Sequence, residues 1–243
     1  MNLIIDIGNT SAKMALFDGG DIVGEVARTD NERLAGLTDF IAGKNVERAI
    51  LSSVVGVSGA VRTLLDAQTF KTIILTGETP LPIPSVYKFP PGMGADRIAA
   101  DVAAVIAAKG RPALVFDAGT CLTCELLHPE KGIVGGIISP GYRLRLLSMH
   151  EHTAALPLVG TTLPHPDLLG TDTETAMTAG AWNSVTFEIE GYVRRLWDKY
   201  DDLAVFVTGG DCFSFDNLLK SRICQDKLLL LRGLNHILEF NGQ

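Results

Sequence analysis

The stretch NLIIDIGNTSAKMALF, residues 2–17, decides how the chain reads. Apolar and amide residues lead into Asp6, Gly8-Asn9-Thr10 breaks the run, and a second apolar run covers Met14–Phe17. This is a strand, a tight turn and a returning strand. Gly8 and Asn9 tolerate positive φ, so backbone N–H groups are expected to converge there, in a nest suited to phosphate. Thr10 and Ser11 add hydroxyls and Lys13 adds a point charge. Asp6 suits a phosphate site only with a cation between, usually Mg²⁺ with its waters. A plain surface hairpin would use the same turn residues.

A second copy follows. ALVFDAGTCLT, residues 113–123, again runs from an apolar strand through Asp, a small residue and Gly into hydroxyl residues and another strand. Asp117 lies 111 residues after Asp6 (117 − 6). What surrounds the copies also repeats. After the first hairpin the pattern predicts a strand at Ile22–Ala27 and a helix over Glu32–Ala42. Asn31 would cap that helix, with Leu34, Leu37 and Ile41 at helical spacing. A strand at Arg48–Ser52, a helix over Ser58–Gln68 and a strand at Thr72–Leu75 complete the half. After Asp117 come strands at 121–128 and 132–139 and a helix beyond Pro140-Gly141. A long helix follows, capped by Asp172 or Thr173 and reaching about Tyr200, then a strand at Leu203–Val207 and two further βα elements. The fold class is α/β with an internal duplication, two βββαβαβ halves, 1–111 and 112–243.

Between the halves, residues 80–91 hold five of the eleven prolines and read as a stiff extended loop. Gly92-Met93-Gly94-Ala95-Asp96-Arg97 then opens an alanine-rich helix to about Lys109. Asp96 suits a helix N-terminus by itself, whereas Arg97 opposes the dipole there and points to an anionic ligand. Later, Leu203–Val207 runs into Thr208-Gly209-Gly210-Asp211, where two glycines let a flat ring or a phosphate approach the backbone. Trp182 and Trp197 keep helical spacing with Ala176, Val185, Ile189 and Val193, so they read as core.

Composition narrows the function. A chain of 243 residues, 47% hydrophobic, builds a substantial core. No apolar run approaches the roughly 18 residues of a membrane helix. The N-terminus lacks a basic region and Asp6 interrupts its apolar run, so no signal peptide is expected and the cytoplasm is the expected compartment. A net charge of −7 argues against nucleic acid and anionic membrane as partners. Cys121 and Cys124 form one C-x-x-C with no second close pair, and Cys212 and Cys224 lie far along the chain, so free thiols are expected rather than a zinc site. The histidines form no metal pattern. His150 and His152 fall on a predicted helix, about 200° apart. Walker, dinucleotide-binding and hydrolase-elbow motifs are absent, so a phosphate site would be built from hairpins.

The motifs together resemble the superfamily of acetate and sugar kinases, heat-shock chaperone ATPases and actin. In that duplicated, ribonuclease H-like fold, two halves flank a central cleft and clamp a nucleotide. Within it, the whole chain is similar to the type III pantothenate kinases. The segments that carry the likeness are DIGNTSAK (6–13), PPGMGADR (90–97), DAGTCLT (117–123), GGIISPG (135–141) and GTDT (170–173), in that order. The resemblance implies phosphorylation of pantothenate by ATP, the first step of coenzyme A biosynthesis, by a homodimer. It implies that Asp6, Ile7, Gly8, Asn9, Thr10, Ser11, Ala12 and Lys13 line the ATP phosphates, with Asp6 near Mg²⁺ through water, and that Thr120 also binds ATP. Tyr87, Gly94, Ala95, Asp96 and Arg97 would contact pantothenate, with Asp96 as general base, and Thr173 would contact the pantothenate of the partner subunit's site or its own. Asp117 would bind a monovalent cation, K⁺ or NH₄⁺. Cys121 stands where many relatives carry a smaller residue; it is nearly isosteric with Ser. The alternatives are another small acid or sugar kinase on the same fold, and a non-catalytic nucleotide- or metabolite-binding regulator. The second would be expected to lose Asp6, Asp96 and Asp117, which this chain keeps.

Overall fold

In the computed structural model, which describes residues 1–160, 166–211 and 222–242, the opening stretch forms β1 (Asn2–Ile7) and β2 (Ala12–Asp18). They pair antiparallel with Asp6 opposite Lys13 and Ile7 opposite Ala12. β3 (Asp21–Thr29) adds to β2, while β4 (Arg48–Ser53) and β5 (Lys71–Ile74) extend the other side in parallel. The order is β3-β2-β1-β4-β5. All six residues of β1 are buried, because helices cover both faces of the sheet. Leu3, Ile5 and Ile7 pack with Leu37 of α1 (Leu37–Ile41) and with Val61 and Leu65 of α2 (Gly59–Asp66). Ile4 faces the other way, against Ala95, Ala99 and Val102 of α3 (Ala95–Ala108). The period of two along the strand thus sorts the residues between two half-cores.

The helix expected over Glu32–Ala42 is corrected. Only Leu37–Ile41 is helical, entered through Gly36 at φ 83. Before it, the Asp30 carboxylate accepts the N–H groups of Glu32, Arg33 and Ala35, and Leu34 takes φ 52. A side chain that satisfies three consecutive-turn donors competes directly with helix formation. Leu34 and Leu37 are still buried, so the apolar spacing reported the core and not the backbone.

The second set of strands copies the first. β6 (Ala113–Ala118), β7 (Cys121–His128) and β8 (Gly132–Pro140) form a meander, and β9 (Ala204–Gly209) and β10 (Ile223–Gln225) extend it in parallel. The order β10-β9-β6-β7-β8 is the first sheet's topology read in reverse. α4 (Tyr142–Glu151) follows the meander, and α5 (Thr173–Trp197) starts at an Asp172–Thr175 capping box. α5 lays Val185, Ile189 and Val193 on Leu114, Phe116, Leu122 and Val205, with Trp182 and Trp197 packed beside them. Ala176 is exposed and Met177 is buried in its place. Cys121, Cys124 and Cys224 are free thiols. His150 and His152 close α4 and are exposed. Cys212 and part of the final βα region fall outside the described residues.

The chain divides into two compact units, Met1–Lys109 with Leu228–Gln243, and Gly110–Lys227. The final helix α6 (Leu229–Asn241), read from sequence with the second half, packs in the first unit. Its Leu230, Leu234, Ile237 and Leu238 cover α3 and the Ile4 face, and Gly233 lies so close to the Ala99 backbone that a Cβ would collide. Polar contacts fix the register: Asn2 Nδ2 donates to Asn235 Oδ1 at 2.8 Å, and Arg48 pairs with Glu239 at 3.0 Å.

Candidate active site

Asp6 continues the Ile4 face of β1, the face that α3 covers. Across the sheet it sits between Lys13 on β2 and Ser52 on β4. Ser52, fully buried, donates its hydroxyl to Asp6 Oδ1 at 2.8 Å. Burial pushes the Asp6 carboxyl above its usual range, Lys13 and Ser52 pull it down, and nearby Asp96 pushes it up again. The general-base candidate and the phosphate hairpin therefore lie close enough to feel each other's charge. α3 lies on this face of the sheet, its Ala95, Ala99 and Val102 clustering with Ile4 of β1 and Ile50 of β4.

The turn itself differs from expectation. Neither Gly8 nor Asn9 takes positive φ. Gly8 donates its N–H to Ser11 O at 3.0 Å, and a Cβ there would stand 3.2 Å from that oxygen. The glycine is needed for close approach, not for a left-handed backbone. Ile7 and Ala12 turn their side chains into the core, so only their backbone is free to line a ligand. Asn9 and Thr10 are exposed, and Ser11 and Lys13 are half-buried. Sequence reading missed one neighbour. Asn31, taken as a helix cap, donates its side-chain amide to Gly8 O at 3.1 Å and Asn9 O at 2.9 Å.

Asp96 is the second residue of α3, whose N-cap Gly94 offers no side chain. Its Oδ1 accepts the Arg97 N–H at 2.8 Å, and a Cβ on Gly94 would strike that carboxylate. Ala95 is buried against the sheet, and Arg97 is half-buried. Tyr87, in the proline-rich loop, is buried, and burial pushes its phenol above the ordinary value.

Asp117, Thr120 and Thr173 belong to the second unit. Asp117 lies between Thr123 on β7 and Thr208 on β9, the same row as Lys13–Asp6–Ser52, but with Thr123 where the first hairpin has a lysine. The Thr123 hydroxyl is buried without a hydrogen-bond partner among the described residues. The turn is one residue shorter: Ala118 pairs with Leu122, three residues intervening, where Ile7 and Ala12 enclose four. Gly119 donates to Cys121 O at 3.0 Å. Thr120 is exposed, and its carbonyl and that of Gly119 leave no room for a Cβ at Gly141. Gly209, at φ +108, presses on the Ala118 backbone, and Gly210 donates to Ala118 O at 2.9 Å. Beside it, burial pushes Asp211 up while Arg143 pulls it down, and Tyr142 is raised chiefly by its own burial, with Asp211 adding to it; sequence reading assigned neither Tyr142 nor Arg143. Thr173 is the exposed first residue of α5. Among the described residues no group of three His, Cys, Asp or Glu could hold a metal. A single carboxylate is nonetheless sufficient for Mg²⁺ that arrives on nucleotide phosphates and keeps its waters.

Two sheets of one topology, each opening in a hairpin with an aspartate at the end of its central strand, define the actin-like ATPase and sugar-kinase class. A candidate 2-dehydro-3-deoxygalactonokinase from Sinorhizobium meliloti superposes with a TM-score of 0.59, covering 99% of this chain and 96% of that one at 12% identity. The activator of the 2-hydroxyisocaproyl-CoA dehydratase from Clostridium difficile, with bound ADPNP, gives 0.51, covering 99% and 94% at 13% identity. The chain belongs to the type III pantothenate kinase family: the family's profile matches residues 2–195. The type III pantothenate kinase of Phocaeicola vulgatus is 44% identical over 243 residues, all of both chains.

Proposed function

We infer that the chain phosphorylates pantothenate with ATP and a divalent cation, giving 4'-phosphopantothenate in the first step of coenzyme A biosynthesis. What supports this reading, besides the family match, is that Asp96 opens α3, whose Ala95 and Ala99 pack on the Ile4–Asp6 face of β1 within one unit, near enough for its charge to act on Asp6. It brings a proton acceptor to a phosphate hairpin, which is what transfer to a hydroxyl requires. The primary hydroxyl of pantothenate attacks the γ-phosphorus, its proton passes to the Asp96 carboxylate, and the γ-phosphorus–oxygen bond to ADP breaks. Lys13 and the N–H groups of the turn would neutralise phosphate charge, and Asp6 would hold Mg²⁺ through water, the ion supplying further charge neutralisation when bound. Arg97 takes the pantothenate carboxylate, and Tyr87, Gly94 and Ala95 complete the acceptor site of the first unit.

Asp117 is assigned to a monovalent cation, K⁺ or NH₄⁺. It repeats Asp6, but its cross-strand neighbour is Thr123 instead of lysine, and a second carboxylate beside phosphates repels them unless a cation intervenes. Pantothenate phosphorylation is therefore expected to rise several-fold on adding K⁺ to a sodium- or Tris-only buffer, and Asp117→Asn should blunt the rise. Equal rates in all three buffers refute the assignment. No transfer to pantothenate with Mg-ATP and K⁺ present, alongside transfer to another small acid or sugar, refutes the substrate.

The active form is a homodimer. The second unit exposes Phe187 and Tyr192 on α5, Leu147 on α4, and Leu168 and Leu169 before α5, a concentration of large apolar side chains suited to a partner copy. Light scattering at micromolar concentration should give twice the chain mass, and Phe187→Glu should shift it toward the monomer. A fully active monomer overturns this.

A further inference from the structure

We propose that Asn31 is a positioning residue that aims the phosphate-binding donors of the first hairpin; this rests on reading that hairpin as the ATP site. The turn between β1 and β2 contains a single internal backbone bond, Gly8 N–H to Ser11 O. Its remaining order comes from outside. Asn31 donates one side-chain amide to two successive carbonyls, Gly8 O at 3.1 Å and Asn9 O at 2.9 Å. A trans peptide is planar, with its C=O and the following N–H pointing oppositely. Pinning Gly8 O toward Asn31 therefore points the Asn9 N–H away from it, and pinning Asn9 O does the same for the Thr10 N–H. Neither of these N–H groups makes a hydrogen bond among the described residues, whereas that of Gly8 is already used. Of the turn's donors left for a phosphate, those of Asn9, Thr10 and Ser11, Asn31 sets the directions of the first two, and it holds the two carbonyls that would repel a phosphate on the opposite side.

Asn31 is itself held firmly. The preceding Asp30 accepts from Glu32 at 3.1 Å, Arg33 at 2.6 Å and Ala35 at 2.8 Å, and Thr29 Oγ1 donates to Ala35 O at 2.7 Å. This knot replaces the start of the expected helix and presents Asn31 to the hairpin from a segment more than 20 residues away in sequence.

The test compares Asn31→Ala, Asn31→Asp and Lys13→Ala with the wild type, measuring melting temperature, KM for ATP, KM for pantothenate, and direct binding of a fluorescent ATP analogue. Two lost hydrogen bonds of ordinary strength correspond to about a 5- to 100-fold change. Asn31→Ala is expected to raise KM for ATP and weaken analogue binding by up to that factor, with KM for pantothenate unchanged and the melting temperature lowered by no more than a few degrees. Asn31→Asp should be worse than Asn31→Ala, because a carboxylate cannot donate and faces two carbonyls. If Lys13→Ala weakens the analogue while Asn31→Ala binds it like wild type, the proposal is overturned and the phosphate site stands. If neither variant affects the analogue, the hairpin is not the phosphate site and the proposal falls with that reading. A fall in melting temperature with both KM values raised equally would make Asn31 a fold residue and also overturn it.

Discussion

Asp96→Asn is expected to leave the melting temperature and ATP binding close to wild type while turnover falls by about 10²–10⁴. The bland role for Asp96 is helix stabilisation, and the structure defines how it would act: Oδ1 accepts the Arg97 N–H at 2.8 Å within the first turn of α3. Asn presents the same oxygen to the same donor, and first-turn polar caps of this kind differ little between Asp and Asn. If capping were all, the variant would keep its rate. Asn cannot take the hydroxyl proton, however, and near Asp6 it also removes a negative charge. Removing that charge should make ATP binding slightly better, not worse, so a kcat loss with unchanged or lower KM for ATP is the signature of a lost base. A variant that turns over at the wild-type rate returns Asp96 to the role of a cap.

What the sequence made legible was local. The D-x-G signature located both hairpins because a strand end, an aspartate and a glycine turn follow one another along the chain, and the identical order of the two sheets bears out the duplication. The α3 and α5 starts were readable for the same reason. Asn31 was not. Leu34 and Leu37 kept helical spacing and are buried, yet the Asp30 carboxylate captures the backbone donors a helix would need, and the target of the Asn31 amide lies on another element. Gly8 does not take the positive φ its turn position suggested; a Cβ there would instead stand close to the Ser11 carbonyl. α6 shows the same limit. Its leucines announce an apolar face, but that α3 receives it depends on Gly233 meeting the Ala99 backbone, a fit between segments that no local pattern records.

Asp6→Asn is expected to abolish most activity, by two orders of magnitude or more, without loss of stability at pH 8. Loss of the Mg²⁺-ordering carboxylate removes several kcal/mol of transition-state stabilisation, and about 1.4 kcal/mol is tenfold in rate. A higher Mg²⁺ concentration for half-maximal rate should accompany the loss. The stability side follows from the direction of the shift. Burial, the largest influence, raises the Asp6 carboxyl above its unfolded value despite Lys13 and Ser52. A carboxyl raised in the folded state adds its full stability below its unfolded pKa of about 3.9, and that addition is lost as pH rises through the folded value. Where the wild-type carboxylate is ionised it is a buried charge that the fold must carry, whereas Asn keeps the shape and can still accept the Ser52 hydroxyl. The variant should melt at or above the wild-type temperature at pH 8, and any advantage should shrink as the pH falls, because the raised carboxyl takes up its proton in the folded state before the unfolded chain does. Saturating Mg-ATP should stabilise the wild type much more than the variant. A variant that melts well below wild type at pH 8 would mean that the ion pair with Lys13 holds the hairpin together, and a variant with near-normal turnover would remove Asp6 from the phosphate site.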